Sequence, residues 1–158
     1  MRKLKIYLDT SVISHLDQHD APEKMRDTLS LWEDIRRGAY EVYMSQVTLD
    51  EVYQCKPEKL SVLQGHLSDV KFTLLEIDDE LKKLALRFIE NGILTEKSRN
   101  DCYHIAFAMK HDCDAIVSWN FKHIYNIKTI RGVKIVSGIT GYPEVAIYSP
   151  EVLIERSI

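Results

Sequence analysis

The chain has 158 residues, of which 45% are hydrophobic and 28% are charged. These proportions are ordinary for a globular protein, so they exclude a disordered, collagen-like or coiled-coil chain, and the length predicts a single domain over residues 1–158. No apolar run approaches the roughly 18 residues of a membrane span, so we expect no membrane association, and we expect no signal peptide. The three cysteines form no C-x-x-C pair, which argues against a thiolate zinc site and favours a reducing, cytoplasmic location.

The net charge of −3 argues, taken alone, against a nucleic-acid binder. The charge is unevenly distributed, however. Between Ala115 and Pro143 there is no Asp or Glu, although the segment contains four basic residues: Lys122, Lys128, Arg131 and Lys134. The acidic residues therefore lie in other parts of the chain.

Strand-like and helical patterns alternate along the sequence. In chain order they predict a strand at 3–8, a helix from Pro22 to Gly38, a strand at 40–44, a helix after Ser45, a helix from Pro57, a strand at 72–77, a helix from Asp78 to Gly92, a helix from Ser98, and strands at 115–119 and 133–136. Such alternation is typical of a parallel sheet covered by helices on both faces. Residues 142–158 are expected to form a C-terminal extension, either a short helix or a loose tail after Pro150.

Acidic and polar residues follow several of the predicted strands. Asp9 comes directly after the first strand, Glu51 lies in the helix after the second, and Asp101 lies in the first turn of a later helix. Ser118 and Asn120 are at the end of the strand after that helix. In parallel sheets, sites form outside the carboxyl ends of the strands. Three carboxylates gathered there repel one another unless cations bridge them, and Mg²⁺ or Mn²⁺ prefer such ligands. The pattern therefore predicts an acidic metal site.

Each acid also has a purely structural interpretation. Asp9 could cap the turn after its strand, and Glu51 could be a solvated helix residue. Asp101 stands three residues after Ser98, which is the spacing of a capping box. Only the joint placement of the three acids favours a metal site.

The histidines, Cys102 and Trp32 are less informative. The helical pairs His15–His19 and His104–His111 have no third ligand at a suitable spacing, so we interpret these four as surface residues. His123 could lean into the site, but we favour a structural role for it, and Cys102 and Trp32 are assigned to the core. The apolar helical face at Leu60, Leu63 and Leu67 could belong either to the core or to a dimer surface.

Four segments together carry a resemblance to a known family. They are residues 6–13 (IYLDTSVI), 44–51 (MSQVTLDE), 100–106 (NDCYHIA) and 116–121 (IVSWNF). In this order they resemble the PIN domain, and the resemblance extends to about Gly141. It implies a three-layer α/β/α fold with a central, mainly parallel sheet and the activity of a metal-dependent ribonuclease. It also implies similarity to the small stand-alone VapC-type toxins of toxin–antitoxin pairs, with RNA as substrate, an antitoxin as partner and a homodimeric state.

The resemblance assigns roles to particular residues. Asp9, Glu51 and Asp101 match the three acids that hold Mg²⁺ or Mn²⁺, and Asn120 stands at a fourth catalytic position that is often Asp. Thr10 and Ser118 are supporting candidates. Because Asn lacks the negative charge, we expect one firmly held cation, and the change leaves open a weak or inactive scaffold that binds RNA or a protein without cutting.

The implied mechanism is hydrolysis by a cation-activated water. The cation would bind a phosphate oxygen and lower the pKa of the attacking water, Asp101 would accept the proton, and the products would carry a 5′-phosphate and a 3′-hydroxyl. Four basic residues are candidates for contact with the RNA backbone: Lys122, Lys128, Arg131 and Lys134. Two alternatives stay open, namely that these four form an ordinary solvated face and that the nuclease acts on DNA.

Overall fold

The computed structural model describes residues 2–154, in which five strands and eight α-helices alternate. The strands are β1 (Leu4–Leu8), β2 (Tyr40–Ser45), β3 (Thr73–Leu75), β4 (Ala115–Val117) and β5 (Ala146–Tyr148). The helices are α1 (Thr10–Ser14), α2 (Pro22–Arg36), α3 (Gln46–Val52), α4 (Pro57–Ser68), α5 (Asp79–Glu90), α6 (Arg99–Lys110), α7 (Ile127–Thr140) and α8 (Pro150–Leu153). Short 3₁₀ turns lie at His15–Asp17 and Glu96–Ser98. Among these described helices, none has the length and apolar character needed to cross a bilayer.

The five strands form one all-parallel sheet in the order β3-β2-β1-β4-β5. In this order the chain first builds outward from β1 to β3 and then returns to the other side of β1 with β4 and β5. Ile6 of β1 pairs with Val42 of β2 on one side and with Ala115 of β4 on the other. The reversal of direction opens a crevice at the carboxyl ends of β1 and β4, which is where ligands bind in open parallel sheets.

Helices cover both faces of this sheet, as the sequence predicts. Tyr7 of β1 packs into a core with α5, α6 and α7, whereas its neighbours Ile6 and Leu8 pack into a second core with α1, α2 and α4. This division follows from strand geometry, because successive side chains point to opposite faces. The expected three-layer α/β/α architecture is confirmed.

The predicted helix starts are confirmed, with a side-chain cap at Ser45 and Asp78. Asp78 accepts a hydrogen bond from the Leu81 amide at 2.8 Å, and Pro22 and Pro57 each stand in the first turn of a helix. Leu63 of α4 is fully buried. The apolar face of α4 therefore belongs to the core, and the placement of Trp32 and Cys102 in the core is likewise correct.

The strand predicted at 133–136 is wrong, because these residues lie in the middle of α7. The Asn126 side chain caps this helix by accepting a hydrogen bond from the Thr129 amide at 2.9 Å. Val133 and Val136 stand three residues apart, so both face the core from one side of the helix. Burial of this face outweighs the preference of the β-branched residues for strands.

The C-terminal segment differs in part from the expected extension. Residues 146–148 form β5, an edge strand of the sheet, in which Ala146 pairs with Ala115 and Ile147 with Ile116. This strand has only three residues, too few to give a clear alternating pattern. The short helix expected after Pro150 is present as α8, and the end of that predicted segment, 155–158, lies outside the described residues.

Candidate active site

Asp9 lies at the crevice between β1 and β4 and is almost fully buried, with 2% of its surface exposed. Both of its carboxylate oxygens accept hydrogen bonds from hydroxyls: Ser11 donates to Oδ1 at 2.6 Å, and Ser118, which follows β4, donates to Oδ2. The carboxylate also caps α1 by accepting from the Val12 amide at 3.3 Å. The capping interpretation of Asp9 is therefore confirmed, and the cap places the carboxylate at the switch point of the sheet, where the predicted metal role stays a prediction.

Burial raises the pKa of Asp9 above its ordinary value, and the nearby His104 and the two hydroxyls only partly oppose this shift. The ionised carboxylate is thus held in a place that disfavours its charge. Such a placement costs folding stability and is common at functional sites.

Glu51 lies on α3, as predicted, and its side chain is about one-third exposed. Its Oε1 accepts a hydrogen bond from Thr10 Oγ1 at 2.7 Å and lies 2.9 Å from His104 Nε2. Burial opposes ionisation of this group, but the hydrogen bonds and the His104 ring outweigh burial and lower the pKa of Glu51. The lowered pKa keeps Glu51 ionised at neutral pH. Thr10, a supporting candidate without an assigned partner in the sequence, contacts this acid.

His104 is a member of the site that sequence interpretation assigned to the surface, and this assignment is wrong. The ring is buried, and its two nitrogens face different partners: Nδ1 lies 2.7 Å from the Tyr7 hydroxyl and Nε2 contacts Glu51. The Tyr7 hydroxyl in turn donates to Ser45 Oγ at 2.7 Å. One signal could have revealed this role, because His104 follows Asp101 by three residues and so shares a helix face with it.

Replacing His104 with Leu is expected to lower the free energy of unfolding by about 1–3 kcal/mol, because Glu51 and the Tyr7 hydroxyl each lose a hydrogen-bond partner. Urea unfolding monitored by circular dichroism measures this change. The matched control is His111→Leu at the end of the same helix, where we expect less than half of the loss. Equal losses in the two variants would show that the contacts of His104 carry no special weight.

Asp101 lies in the first turn of α6, as predicted. Its Oδ2 is 3.0 Å from His123 Nδ1, and its Oδ1 accepts a hydrogen bond from Asn120 Nδ2 at 3.4 Å. Burial raises the pKa of Asp101, and His104 and His123 oppose this increase. The capping-box interpretation fails, because the Ser98 side chain makes no capping hydrogen bond at this helix.

Asn120 connects Asp101 with the Asp9 side of the crevice. Its backbone amide donates to Ser118 Oγ at 2.9 Å, and its Oδ1 accepts from the His123 amide at 2.9 Å. Ser118 therefore contacts both Asp9 and Asn120, and Asn120 contacts Asp101. Residues 118–120 therefore connect Asp9, after β1, with Asp101 of α6.

The donor chemistry of the three acids fits a hard cation such as Mg²⁺ or Mn²⁺, because all the side-chain donors are carboxylate oxygens. Within residues 2–154, no ion pair joins Asp9, Glu51 or Asp101 to a lysine or arginine. In the same residues, however, no three His, Cys, Asp or Glu side chains form a ready-made metal-holding group. The ligand set predicted from sequence therefore stays a prediction.

The four basic candidates for RNA contact are exposed: Lys122, Lys128, Arg131 and Lys134. Lys122 and Lys128 line a small cavity together with His123, the residue that contacts Asp101. These two lysines therefore lie beside the candidate site. Arg131 and Lys134 lie further along α7.

The protein is an α/β/α sandwich with an all-parallel sheet and acidic side chains at the switch point of the strand order. In proteins of this class, the ligand site lies at the carboxyl ends of the strands. The family model of the PIN domain matches residues 6–125, so the chain belongs to the PIN domain family, whose members are in general nucleases. Among solved structures, the chain is similar to one in the crystal structure of VapBC2 from Rickettsia felis bound to a DNA fragment from their promoter. The TM-score is 0.59 at 15% identity, over 92% of this chain and 98% of that one, a likeness that shows the fold. No curated protein matches the sequence significantly.

Proposed function

We propose that the protein is a metal-dependent endoribonuclease in which Asp9, Glu51 and Asp101 hold a Mg²⁺ or Mn²⁺ ion. The observation that carries this proposal is the placement of the three acids. They come from three separate segments of the chain, and their hydrogen-bond partners are hydroxyls, an amide and histidines. The charge of Glu51 contributes to the raised pKa of Asp101. Within residues 2–154 none of the three acids has a lysine or arginine partner, and carboxylates near one another without such partners favour a divalent cation.

The bound cation supplies charge stabilisation at a phosphate oxygen and a more acidic water. The protein's own residues then have separate tasks. Glu51, ionised at neutral pH, provides negative charge, and Thr10 and His104 keep its carboxylate in one orientation. Asp101, which contacts His123 and Asn120, would accept a proton from the attacking water. Asn120 and His123 hold the Asp101 carboxylate in place, and hydrolysis leaves a 5′-phosphate and a 3′-hydroxyl.

We further propose that the chain is the toxin of a toxin–antitoxin pair, with an antitoxin as protein partner, a homodimeric state and a cytoplasmic location. The likeness to the VapBC2 structure supports this proposal. Growth arrest on expression of the chain, relieved by co-expression of a gene adjacent to its own, would support it. Unaltered growth on expression of active nuclease would contradict it.

The enzymatic proposal is tested with a single-stranded RNA incubated with the protein in Mg²⁺, in Mn²⁺ and in EDTA. We expect cleavage in either metal, none in EDTA, and products that carry a 5′-phosphate. Single-stranded DNA of the same sequence serves as competitor, and we expect it to be cleaved poorly. Cleavage that persists in EDTA, or products with a 3′-phosphate, would contradict the metal mechanism.

A second candidate function is a PIN-like scaffold that binds RNA or a protein without cutting. Asn120 favours it, because an amide stands where the family often has an acid, and this amide is already engaged with Asp101 and His123. RNA binding in EDTA without cleavage in either metal would support the scaffold. Metal-dependent cleavage by the wild-type chain would exclude it.

A further inference from the structure

Three aromatic rings form a continuous row beside the candidate site, which we call the aromatic ladder: Trp119, Phe121 and Tyr125. The Trp119 and Phe121 ring centroids are 6.1 Å apart, and those of Phe121 and Tyr125 are 5.5 Å apart, with both pairs nearly perpendicular. Asn120, which contacts Asp101, lies between the first two in sequence. The ladder therefore belongs to the same loop as Asn120, the residue that contacts Asp101.

The loop that carries the ladder is held in place by hydrogen bonds. Trp119 Nε1 donates to Thr28 Oγ1 of α2 at 2.8 Å, and the Trp119 amide donates to Ser11 Oγ, the same hydroxyl that contacts Asp9. The Tyr125 amide donates to the Asn120 carbonyl at 2.8 Å. The loop is therefore already ordered before a ligand binds to these rings, so binding costs little conformational entropy of the protein.

Phe121 is the exposed member of the ladder. Its surface is 45% exposed, whereas that of Trp119 is 6% exposed. Lys24 of α2 lies over both the Phe121 and the Trp119 rings, with its Nζ 5.0 Å and 5.5 Å from their centroids. A base can therefore stack only on the part of the Phe121 ring that Lys24 leaves exposed. Lys122, the next residue, is also exposed. An exposed aromatic ring beside a lysine ammonium is a combination found in proteins that bind single-stranded nucleic acids, where bases stack on rings and phosphates lie near lysines.

We propose that the aromatic ladder is a base-stacking subsite, with an unpaired RNA base on Phe121 and the adjacent phosphate near Lys24. This inference rests on the proposed function and assigns the contact with one base of its substrate to Phe121. In duplex RNA the bases are already stacked and their faces are inaccessible to side chains. The ladder therefore selects unpaired nucleotides, and it does so with little sequence preference, since every base has a π-face.

The test measures binding separately from cleavage. Fluorescence anisotropy of a labelled ten-nucleotide RNA is recorded in EDTA, first with the single strand and then with the same strand in a duplex. Phe121→Leu keeps apolar bulk but removes the ring, and Phe121→Trp keeps a ring. We expect the wild type and Phe121→Trp to bind the single strand similarly, and Phe121→Leu to bind it about 5- to 100-fold more weakly. Duplex binding is expected to be weak and unaffected by the leucine variant.

Tyr53→Ala serves as a control for the loss of any exposed aromatic side chain. Tyr53 is 58% exposed and follows Glu51 by two residues at the end of α3, so it points away from the Glu51 side of the helix. Thermal unfolding checks that each variant is folded. Unchanged single-strand binding by a folded Phe121→Leu protein, or an equal loss with Tyr53→Ala, would overturn the stacking subsite.

The same samples, assayed for cleavage in Mn²⁺, separate this inference from the proposed function. Phe121-dependent binding without cleavage by the wild type would uphold the ladder and reject the nuclease. Cleavage by the wild type with binding that ignores Phe121 would uphold the nuclease and reject the ladder.

Discussion

Replacing Asp9 with Asn is expected to reduce metal-dependent RNA cleavage by about 100-fold or more, while the protein stays folded. The substitution keeps the size of the side chain but removes the negative charge of a proposed cation ligand. Loss of roughly 3 kcal/mol of transition-state stabilisation corresponds to this factor. Initial rates on single-stranded RNA at saturating Mn²⁺ measure the effect, and Asp20→Asn, which changes an exposed acid, is the matched control.

We also expect Asp9→Asn to change the stability of the protein in a way that a purely structural role of Asp9 would not. Because burial raises the pKa of Asp9, the ionised side chain destabilises the fold at neutral pH. We expect Asp9→Asn to be at least as stable as the wild type at pH 7. This relative advantage should shrink as the pH falls through the raised pKa, because the wild-type carboxyl then becomes neutral. Urea unfolding between pH 4 and pH 8 measures the difference.

Two outcomes would contradict this account of Asp9. Cleavage that is unchanged in Asp9→Asn would remove the residue from the mechanism. A large loss of stability at pH 7 would show that the capping contacts to Ser11, Val12 and Ser118 are its main role.

Replacing Asn120 with Asp is expected to have the second largest effect. It should lower the free energy of unfolding in the absence of metal, and added Mn²⁺ should reverse that change. The Asn120 amide donates to Asp101 Oδ1 at 3.4 Å, so the variant sets two carboxylates close together. In EDTA we expect the free energy of unfolding to fall by roughly 1–3 kcal/mol through like-charge repulsion. Added Mn²⁺ should reverse this loss, and the affinity for Mn²⁺ should increase roughly 10-fold with the extra ligand charge.

Thermal unfolding with and without Mn²⁺ and calorimetric titration of Mn²⁺ test this prediction. Gln64→Glu on α4 is the control, because it adds the same charge at an exposed position away from the sheet edge. A folded Asn120→Asp protein with the same stability in EDTA and in Mn²⁺ would mean that no cation binds beside Asp101. Greater cleavage by this variant than by the wild type would fit a site weakened by its natural amide.

The sequence predicted the fold well where patterns were long and local. The helix from Pro22 and the strand that ends at Asp9 have strong local signals, namely helical spacing and an apolar run. Prediction failed where tertiary packing decides the outcome. Residues 133–136 favour a strand locally, but the core beside α7 makes them helical, and β5 is too short to leave a pattern of its own.

Sequence interpretation named the three acids of the candidate site together with Thr10, Ser118 and Asn120, but it missed Ser11 and His104. Asp9 stands out because it follows a strand, and Asp101 because it lies in the first turn of a helix, whereas Glu51 was named from its place in the helix after the second strand. Ser11 and His104 do not stand out, because their importance comes from contacts across the sheet edge with Asp9 and Glu51. Such contacts depend on how β1 and α6 meet, which no local pattern describes.

The central claim is that the acids at the β1–β4 crevice bind one divalent cation. Anomalous diffraction from crystals of the wild-type protein and of Asp9→Asn, both soaked in Mn²⁺, tests it most directly. We expect a manganese peak at coordination distance from carboxylate oxygens of Asp9, Glu51 and Asp101 in the wild type, and a lost or much weaker peak in the variant. A wild-type crystal with no manganese at this crevice, or with an equal peak in both proteins, would contradict it.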